Sequence, residues 1–541
     1  MQQILRHFFD AIRAYPRRFG IALFFILCVT GMNAGMPWVL RKYLDILTVQ
    51  NNYTALALGI LFFIVFLLTR AGLHTLWFTS LDAFAGSYME AMVLKLEARM
   101  AGADYSEIEK IPGGMIRNIL YTDVLNMFRV VGVFLPQIGS ALLIVVATLL
   151  MALFYDGKMA LLILVAVLLG MLLSWCSRKA LAKTAGTTNA ALKVHDAWCS
   201  QFVDVLPLAI NNDILGYYQA RTSQNIRSFI KAAKKEDRAI YLWLGLTNSY
   251  HALFGILISA LLAIPLAGNS LVNLVFFTML ANVVMQNAQT IETTFQAMMK
   301  NLPSFGHIER LNALPAVFGS QELDGIARID FENVSFAYAS GVQALQSIQC
   351  SIKTGDCLVL QGQNGSGKST FVKLLAGMYL PTAGHVKING RDIASYDRQA
   401  LNRQILYINQ DEKCLNETFR VYLNTLSGQT IDDTTFDQLL QFVELPDDGR
   451  CIEGNGASLS VGQRKKLYLM KLLARIDRAS VLILDELMAG MDQATTKKTH
   501  ALLRELFSAK NKVVILIEHH LPDDLPAHQT YAFEEGRLAK R

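Results

Sequence analysis

A glycine-rich segment, GQNGSGKST at 362–370, has the residue pattern with the most specific chemistry in the chain. It follows the apolar run CLVLQ and precedes the helix-forming run FVKLLAGMY, which is the strand–turn–helix context of a phosphate-binding loop (P-loop). Glycines let backbone N–H groups turn towards phosphate oxygens, and the helix that follows adds positive potential. We expect Lys368 to contact the β- and γ-phosphates and Ser369 to ligate Mg²⁺. The segment predicts a site for ATP or GTP, formed by Gly362, Gln363, Asn364, Gly365, Ser366, Gly367, Lys368, Ser369 and Thr370.

A second element, VLILDE at 481–486, predicts a buried strand that ends in two carboxylates. We expect Asp485 to support Mg²⁺, directly or through water, and Glu486 to polarise an attacking water. An ordinary buried strand with acidic residues at its end is the structural alternative. The P-loop upstream favours the functional interpretation.

Between these elements lies LSVGQRKKL at 459–467, which resembles the signature segment of ABC transporters, LSGGQ in its common form. Val461 replaces the first glycine, whereas Ser460, Gly462 and Gln463 match. In that family the segment begins a helix and completes the ATP site of the opposite nucleotide-binding domain. The resemblance therefore implies that the three matching residues bind nucleotide, and the valine leaves the rate of hydrolysis open.

Further positions match ABC elements in the family's order. Tyr338 in VSFAY matches the aromatic residue that stacks on adenine, and Gln410 in ILYINQDE matches the Q-loop glutamine. AGMD at 489–492 has the position of the D-loop and keeps its Asp492, while His519 in VVILIEHHL matches the switch histidine that holds the γ-phosphate. The resemblance implies catalytic roles for Glu486, His519 and Gln410, and metal-binding roles for Ser369, Gln410 and Asp485.

The elements that position these residues differ between the two halves of the chain. Six apolar runs are long enough to cross a bilayer core of about 30 Å, at 19–40, 55–78, 134–154, 159–175, 242–265 and 271–285. From residue 326 onward, short β-type runs alternate with helical stretches. We therefore expect a multi-domain membrane protein: an all-α six-helix transmembrane domain of the ABC exporter type, followed by an α/β P-loop ABC ATPase domain.

The expected boundaries follow from these patterns. We predict an amphipathic cytosolic elbow helix at 1–18, the transmembrane domain at 19–301, a connector at 302–325 and the nucleotide-binding domain at 326–541.

The joins after the second and fourth runs are long, and the second of them is rich in Lys and Arg. The positive-inside tendency places both joins, both termini and the nucleotide-binding domain in the cytosol of an inner-membrane, multi-pass protein. We expect a short helix at the bend of each join, near 123–127 and near 209–217, that transmits motion between domains.

Composition excludes several classes of protein. With 17% charged and 52% hydrophobic residues among 541, the chain is neither disordered nor entirely soluble. A net charge of +6 is too small a bias to imply a nucleic-acid partner. The seven cysteines form no CxxC pair, so neither a zinc knuckle nor a disulfide framework is indicated.

One chain carries one P-loop and one signature segment. In the ABC family each ATP lies between the P-loop of one domain and the signature of the other, so the resemblance implies two copies. A homodimer with two competent sites is the simplest arrangement. A heterodimer with a related chain is the alternative.

Polar residues within the apolar runs mark a candidate substrate path, because such residues are costly at membrane depth. Arg70 and His74 are one helical turn apart, and further polar residues lie in the fifth and sixth runs. Hydrogen bonding between helices is the structural alternative. The candidate substrate residues are Arg70, His74, Asn248, His251, Asn282 and Gln286.

The cargo prediction depends on a weaker resemblance. PWVLRKYLDIL at 37–47 and the segment 203–244 are similar to exporters of lasso peptides and other microcins. This favours export of an antibacterial peptide that confers self-immunity, in contact with membrane lipid. The alternatives are an exporter of drugs, lipids, siderophores or cyclic peptides, an importer of the same architecture, and an ATP-gated channel.

Overall fold

A computed structural model describes residues 2–50, 53–263, 271–410, 412–446, 449–518, 525–526 and 529–540. The chain divides into two compact units. The helical unit comprises residues 1–94 and 118–309, and the α/β unit comprises residues 95–117 and 310–541.

Helices, several of them very long, make up nearly all of the described residues as far as residue 312. Their bounds are α1 (Gln2–Ala14), α2 (Pro16–Gln50), α3 (Tyr53–Gly102), α4 (Tyr105–Glu109), α5 (Gly113–Asn118), α6 (Val124–Arg129), α7 (Leu135–Tyr155), α8 (Gly157–Asn211), α9 (Leu215–Ala263), α10 (Leu271–Lys300) and α11 (Leu302–Asn312). Two π-helical turns, Ile119–Asp123 and Val130–Phe134, join α5, α6 and α7. With 55 residues, α8 is about 80 Å long at about 1.5 Å per residue, which exceeds the thickness of a bilayer core.

Among the residues that the structure describes, four helices are long and apolar enough to cross a membrane. They are Pro16–Leu47, Leu56–Gly102, Gly113–Tyr155 and Gly157–Ser177. The fifth and sixth predicted runs fall on α9 and α10. Residues 264–270, between these two helices, lie outside the described residues, as does the end of the fifth run.

Small and weakly polar residues bring the helices of the helical unit together. A Cβ on Gly132 would lie 2.4 Å from the Ala85 Cβ, so only glycine permits this approach of backbones. The Thr30 and Ser140 hydroxyls are 2.9 Å apart. Both features are typical of helix packing in lipid, where burial of apolar surface supplies little driving force.

Helix α1 has one buried face and also carries apolar residues on an exposed face. Ile4, His7 and Ala11 are buried against the helical unit, whereas Leu5 and Phe9 are exposed. The His7 ring lies 2.9 Å from the Tyr88 hydroxyl and 3.1 Å from a Glu309 carboxylate oxygen. Burial lowers the pKa of His7, against the opposing effect of Glu309.

The predicted connector at 302–325 begins as a helix rather than an irregular link. Helix α11 is held to the helical unit by the His307–Asp123 pair at 2.9 Å and by a hydrogen bond of 3.1 Å from the Asn126 amide to the Ser304 hydroxyl. Pro303 does not break it, because a proline is tolerated in the first turn of a helix.

The bend of the first long join lies about twenty residues before the predicted position. Residues 124–129 are inside a continuous helix, and the chain turns instead at 103–112, around α4. Asp104 caps α4 by accepting a hydrogen bond from the Ser106 N–H, and Pro112 directly precedes the next helix, with its carbonyl oxygen accepting from the Met115 N–H. In the second join the chain turns at 212–214, within the predicted stretch.

The described residues of the α/β unit form two sheets. The strands are β1 (Arg328–Ala337), β2 (Gln343–Lys353), β3 (Cys357–Gly362), β4 (Ala383–Ile388), β5 (Arg391–Asp392), β6 (Ile405–Ile408), β7 (Val481–Asp485), β8 (Val513–Ile517), β9 (Gln529–Glu534) and β10 (Arg537–Lys540). The helices are α12 (Lys368–Leu375), α13 (Arg398–Gln404), α14 (Phe419–Ser427), α15 (Asp433–Val443), α16 (Val461–Arg475) and α17 (Gln493–Ala509).

The six-stranded sheet has the order β10-β9-β3-β8-β7-β6, and β9, β3, β8, β7 and β6 run parallel. Its central strands β7 and β8 are buried along their whole length, which explains their unbroken apolar sequences. Side chains of the four-stranded sheet β2-β1-β4-β5 and of α12 share the core on one face. Ligands bind at the carboxyl ends of strands in sheets of this kind, so we expect the site at this edge.

Candidate nucleotide-binding site

The predicted P-loop lies between the end of β3 and the start of α12. Gly362, Gly365 and Gly367 have φ values of +146°, +79° and +110°. A Cβ on Gly362 would lie 2.5 Å from the Phe533 carbonyl oxygen. The glycines are therefore required by the backbone conformation and by close approach, while Gln363 and Asn364 remain exposed at the rim.

Two side chains of the loop fit a phosphate ligand. The Lys368 ammonium donates hydrogen bonds to the carbonyl oxygens of Gly362, at 2.6 Å, and Gln363, at 3.0 Å, and so spans the loop. The Ser366 hydroxyl is buried and has no hydrogen-bond partner among the described residues. Ser369 is exposed at the start of α12 and Thr370 is buried. A lysine and backbone donors at a helix start suit a phosphate chain.

Strand β7 delivers Asp485 to the same edge of the sheet. Asp485 is 5% exposed, and the Tyr407 hydroxyl donates a hydrogen bond of 3.2 Å to its carboxylate. Burial raises the pKa of Asp485; the Tyr407 hydrogen bond opposes this rise, as do the ammonium groups of Lys465 and Lys368. A buried carboxylate in this position suits a divalent cation.

Glu486 and Gln410 meet although 76 residues separate them. The Gln410 amide donates a hydrogen bond of 2.5 Å to the Glu486 carboxylate. The backbone of Glu486 has a φ of +48°, and its N–H donates to the Ile517 carbonyl oxygen at 2.8 Å. The structure thus brings together two residues that the sequence placed in the site separately.

Tyr338 lies beside the P-loop helix. Its hydroxyl is 2.7 Å from the Thr370 hydroxyl, and its ring contacts Tyr379 edge-on at 5.9 Å. The Tyr338 ring is half-buried against the core, so its exposed part lies next to the P-loop.

The signature segment forms a capped helix start. Ser460 is the N-cap of α16: its hydroxyl accepts from the Gln463 N–H and the Gln463 side chain accepts from the Ser460 N–H. Val461 is 55% exposed, and a Cβ on Gly490 would lie 3.2 Å from its Cγ1. A valine therefore fits next to the glycine of AGMD, and it leaves the helix start intact. Gly462 also adjoins this glycine, since its Cβ would lie 3.2 Å from the Gly490 carbonyl oxygen.

The D-loop position is tied to the signature helix. Asp492 caps α17 by accepting from the Thr495 N–H at 2.8 Å, and it pairs with Lys466 of α16 at 2.7 Å. The Lys466 hydrogen bond, above all, lowers the pKa of Asp492. His519, the predicted switch histidine, lies outside the described residues.

Two residues of this site were not predicted from the sequence. Lys465 is buried and donates hydrogen bonds to the carbonyl oxygens of Gln410 and Glu486. Glu518 follows β8 and accepts a hydrogen bond of 2.9 Å from the Met488 N–H. The sequence offered one signal for each residue. Lys465 is a charged residue inside an apolar helix pattern, and Glu518 directly precedes His519.

The candidate substrate residues of the helical unit are only partly brought together. Arg70 and Gln286 line a cavity of about 360 Å³ with Asn33, Asn287 and Thr290, and the Arg70 Nε donates a hydrogen bond of 2.6 Å to the Asn33 side chain.

The remaining candidates have other surroundings. His74 packs on Trp77 and Phe78, Asn248 accepts from the Gln289 amide at 2.9 Å, and Asn282 is exposed. The side chain of His251 lies outside the described residues.

The fold and the site define a membrane protein that carries a P-loop nucleotide-binding domain. The family described as ABC transporter matches residues 345–489, and the family described as ABC transporter transmembrane region matches residues 19–194. The chain belongs to the ABC transporters, as a half-transporter that fuses a membrane domain to an ABC ATPase domain. The predicted family, fold class and ATPase domain are confirmed.

Relatives that are named for different functions resemble the chain. A multidrug resistance ABC transporter ATP-binding and permease protein of Lactococcus lactis is 23% identical over 99% of this chain and 92% of its own length. A lactococcin transport/processing protein of L. lactis is 31% identical over 39% of this chain, and a lipid A-core flippase of Chromobacterium violaceum is 32% identical over 42%. The chain spans 30% and 39% of the length of these two relatives.

A solved structure, that of a bacterial Atm1-family ABC exporter with ATP bound, matches with a TM-score of 0.84 at 17% identity. The match covers 97% of this chain and 94% of that chain. At 17% identity, this similarity shows that the two chains share a fold.

Replacement of Lys368 by alanine is expected to weaken ATP binding at least about tenfold, because a charged hydrogen-bond donor is lost from the phosphate site. Titration of the detergent-solubilised protein with a fluorescent ATP analogue measures this. Lys387→Ala is the control, because Lys387 pairs with Glu332 in the antiparallel sheet. Equal affinity of the Lys368 variant and the wild type would contradict the assignment.

Replacement of Glu518 by glutamine is expected to stabilise the protein at alkaline pH. Burial raises the pKa of Glu518 from 4.5 to about 7, so its ionisation lowers folding stability as pH rises through that range. Glutamine keeps an oxygen acceptor for the Met488 N–H and cannot ionise. The midpoint of thermal unfolding should match the wild type at pH 5 and exceed it at pH 8; Glu505→Gln, on an exposed part of α17, should show no such difference.

Proposed function

We propose that the chain is an ATP-driven exporter that works as a dimer in the inner membrane. The observation that carries this proposal is the Gln410–Glu486 contact beside a P-loop, in a chain that also has membrane-spanning helices. The proposed domains are the elbow helix at 1–18, the membrane domain at 19–301, the connector at 302–325 and the nucleotide-binding domain at 326–541.

Different residues of the α/β unit are proposed to have different roles in ATP hydrolysis. In the proposal, Lys368 and the P-loop backbone hold the phosphate chain and Tyr338 stacks on adenine. Ser369, Gln410 and Asp485 would hold Mg²⁺, which neutralises phosphate charge when bound. Glu486 polarises the attacking water, and His519 holds the γ-phosphate.

The nucleotide site is proposed to need a second copy of the chain. Ser460, Gly462, Gln463 and Asp492 act on the ATP held by the partner's P-loop, and two-fold symmetry makes this exchange reciprocal. The exposure of Val461 supports the proposal, because the described residues leave this side chain at the start of α16 accessible to a partner. A heterodimer with a related chain is the alternative.

A short segment of the first long join is the proposed route of coupling. The Tyr379 hydroxyl donates to both oxygens of the Glu109 carboxylate at 2.9 Å, and Lys373 of the P-loop helix donates to Tyr379 at 3.4 Å. The Arg398 guanidinium donates to the Ala103 carbonyl oxygen at 2.9 Å. Movement of α12 would therefore be transmitted to α4 through two hydrogen bonds.

The proposed cargo is an antibacterial peptide. The mixture of an arginine and several amides in the cavity suits a bulky polar solute better than a purely apolar one. The relative named for lactococcin transport supports a peptide, while those named for lipid A and for multidrug resistance support the second candidate, a lipid or drug. Both termini and the nucleotide-binding domain are proposed to be cytosolic.

Replacement of Glu486 by glutamine is expected to abolish steady ATP turnover while ATP binding persists, because the carboxylate that polarises water is lost. Light scattering with ATP should then show a trapped dimer of identical chains, and phosphate release should fall at least about a hundredfold. Undiminished phosphate release would remove Glu486 from its role. A stable monomer in this state would favour a heterodimer.

Replacement of Arg70 by alanine is expected to remove the stimulation of ATPase activity by cargo and to leave basal activity within about twofold. The measurement compares a lasso peptide, lipid A and a lipophilic dye in proteoliposomes. Lys42→Ala, which removes an exposed cation from α2, should preserve stimulation. Equal loss of basal and stimulated activity would assign Arg70 a structural role, and stimulation by lipid A alone would favour the lipid candidate.

A further inference from the structure

Lys465 is a buried lysine outside the motifs that identify the ATP site. It lies in the second turn of α16 with 5% of its surface exposed. Its ammonium donates hydrogen bonds to two backbone carbonyl oxygens, that of Gln410 at 3.0 Å and that of Glu486 at 2.7 Å. These two residues are also the pair whose side chains meet at the site.

We propose that Lys465 is a positioning residue of the ATP site, which holds the backbones of Gln410 and Glu486 so that the amide and the carboxylate face the same reaction centre. The inference depends on the proposed ATPase function and adds a residue to it. In these two hydrogen bonds Lys465 contacts the backbone carbonyl oxygens of Gln410 and Glu486, and the proposed positioning is exerted through their backbones.

The backbone of Glu486 explains why such support is needed. Its φ of +48° is unfavourable for a residue with a Cβ, and persists only when neighbouring contacts fix it. The Glu486 N–H is fixed by the Ile517 carbonyl oxygen, and the Glu486 carbonyl oxygen is fixed by Lys465. The peptide groups on both sides of the Glu486 Cα are therefore held, and the direction of its side chain follows.

A lysine suits this place for two chemical reasons. The ammonium is a compact group with several donors, so one residue can join carbonyl oxygens from two separate loops. Its charge also has acidic neighbours there, because the Lys465 ammonium favours the ionised forms of Asp485 and Glu518 against the effect of burial on the pKa of each. The signature helix that carries Lys465 is thereby connected to the catalytic pair of its own chain.

The test compares ATP hydrolysis by the full chain in detergent and in proteoliposomes. Lys465→Met keeps the length of the side chain and removes its donors. We expect kcat to fall at least about tenfold and KM for ATP to change less than about threefold, because the P-loop contacts remain. Lys465→Arg, which keeps donors, should recover part of kcat. Lys465→Gln, a shorter amide donor, provides a second variant if the methionine variant does not fold.

Lys512→Met is the matched control. Lys512 also donates to two backbone carbonyl oxygens, those of Asp477 at 3.3 Å and Ala479 at 2.8 Å, but at the other end of β7. Its kcat should stay within about twofold of the wild type, with a similar change in thermal stability. The loss caused by Lys465→Met should also shrink when Gln410 is already alanine, because the two residues act as one unit.

The outcomes separate the two proposals. Unchanged kcat in a folded Lys465→Met protein, or an equal loss in Lys512→Met, would overturn the positioning role while the ATPase function stands. A wild-type protein that binds ATP and does not hydrolyse it in either environment would overturn the ATPase function and this role with it.

Discussion

The parallel pairing of β3, β8, β7 and β6 is the constraint on which the nucleotide site depends. Because these strands run in one direction, their carboxyl ends meet at one edge of the sheet. The P-loop, the Asp485–Glu486 pair and Gln410 follow strands of this sheet, so distant parts of the sequence converge there. The register of β7 against β8 also places the Ile517 carbonyl oxygen where it fixes the strained backbone of Glu486.

The P-loop helix α12 is also connected to the segment 95–117. This segment folds with the α/β unit although it lies between apolar helices in the sequence. Buried Tyr379 makes the link, because its hydroxyl accepts from Lys373 and donates to Glu109. A short charged and aromatic contact of this kind is more directional than apolar packing. In the proposed coupling, this contact connects the P-loop helix to the segment 95–117 outside the sheet.

The helical unit follows different rules, because lipid leaves only close packing and polar contacts to hold helices together. Gly132 against Ala85, and Thr30 against Ser140, serve this purpose. The Arg70–Asn33 contact in the cavity is of another kind, since a guanidinium is costly at membrane depth. This cost is the physical ground for the proposal that the cavity binds the cargo.

The sequence by itself determined the family, the fold class and the P-loop, because glycine spacing, unbroken apolar strands and long apolar helices are local patterns. The prediction of a bend near 123–127 in the first join was wrong, because these residues lie within continuous helix and the chain turns earlier, around α4. The contacts of Lys465 and Glu518, and the placement of some candidate substrate residues in a cavity and of others in contacts between helices, appear only in the tertiary structure. These properties depend on which residues from distant segments become neighbours, and no local pattern encodes that.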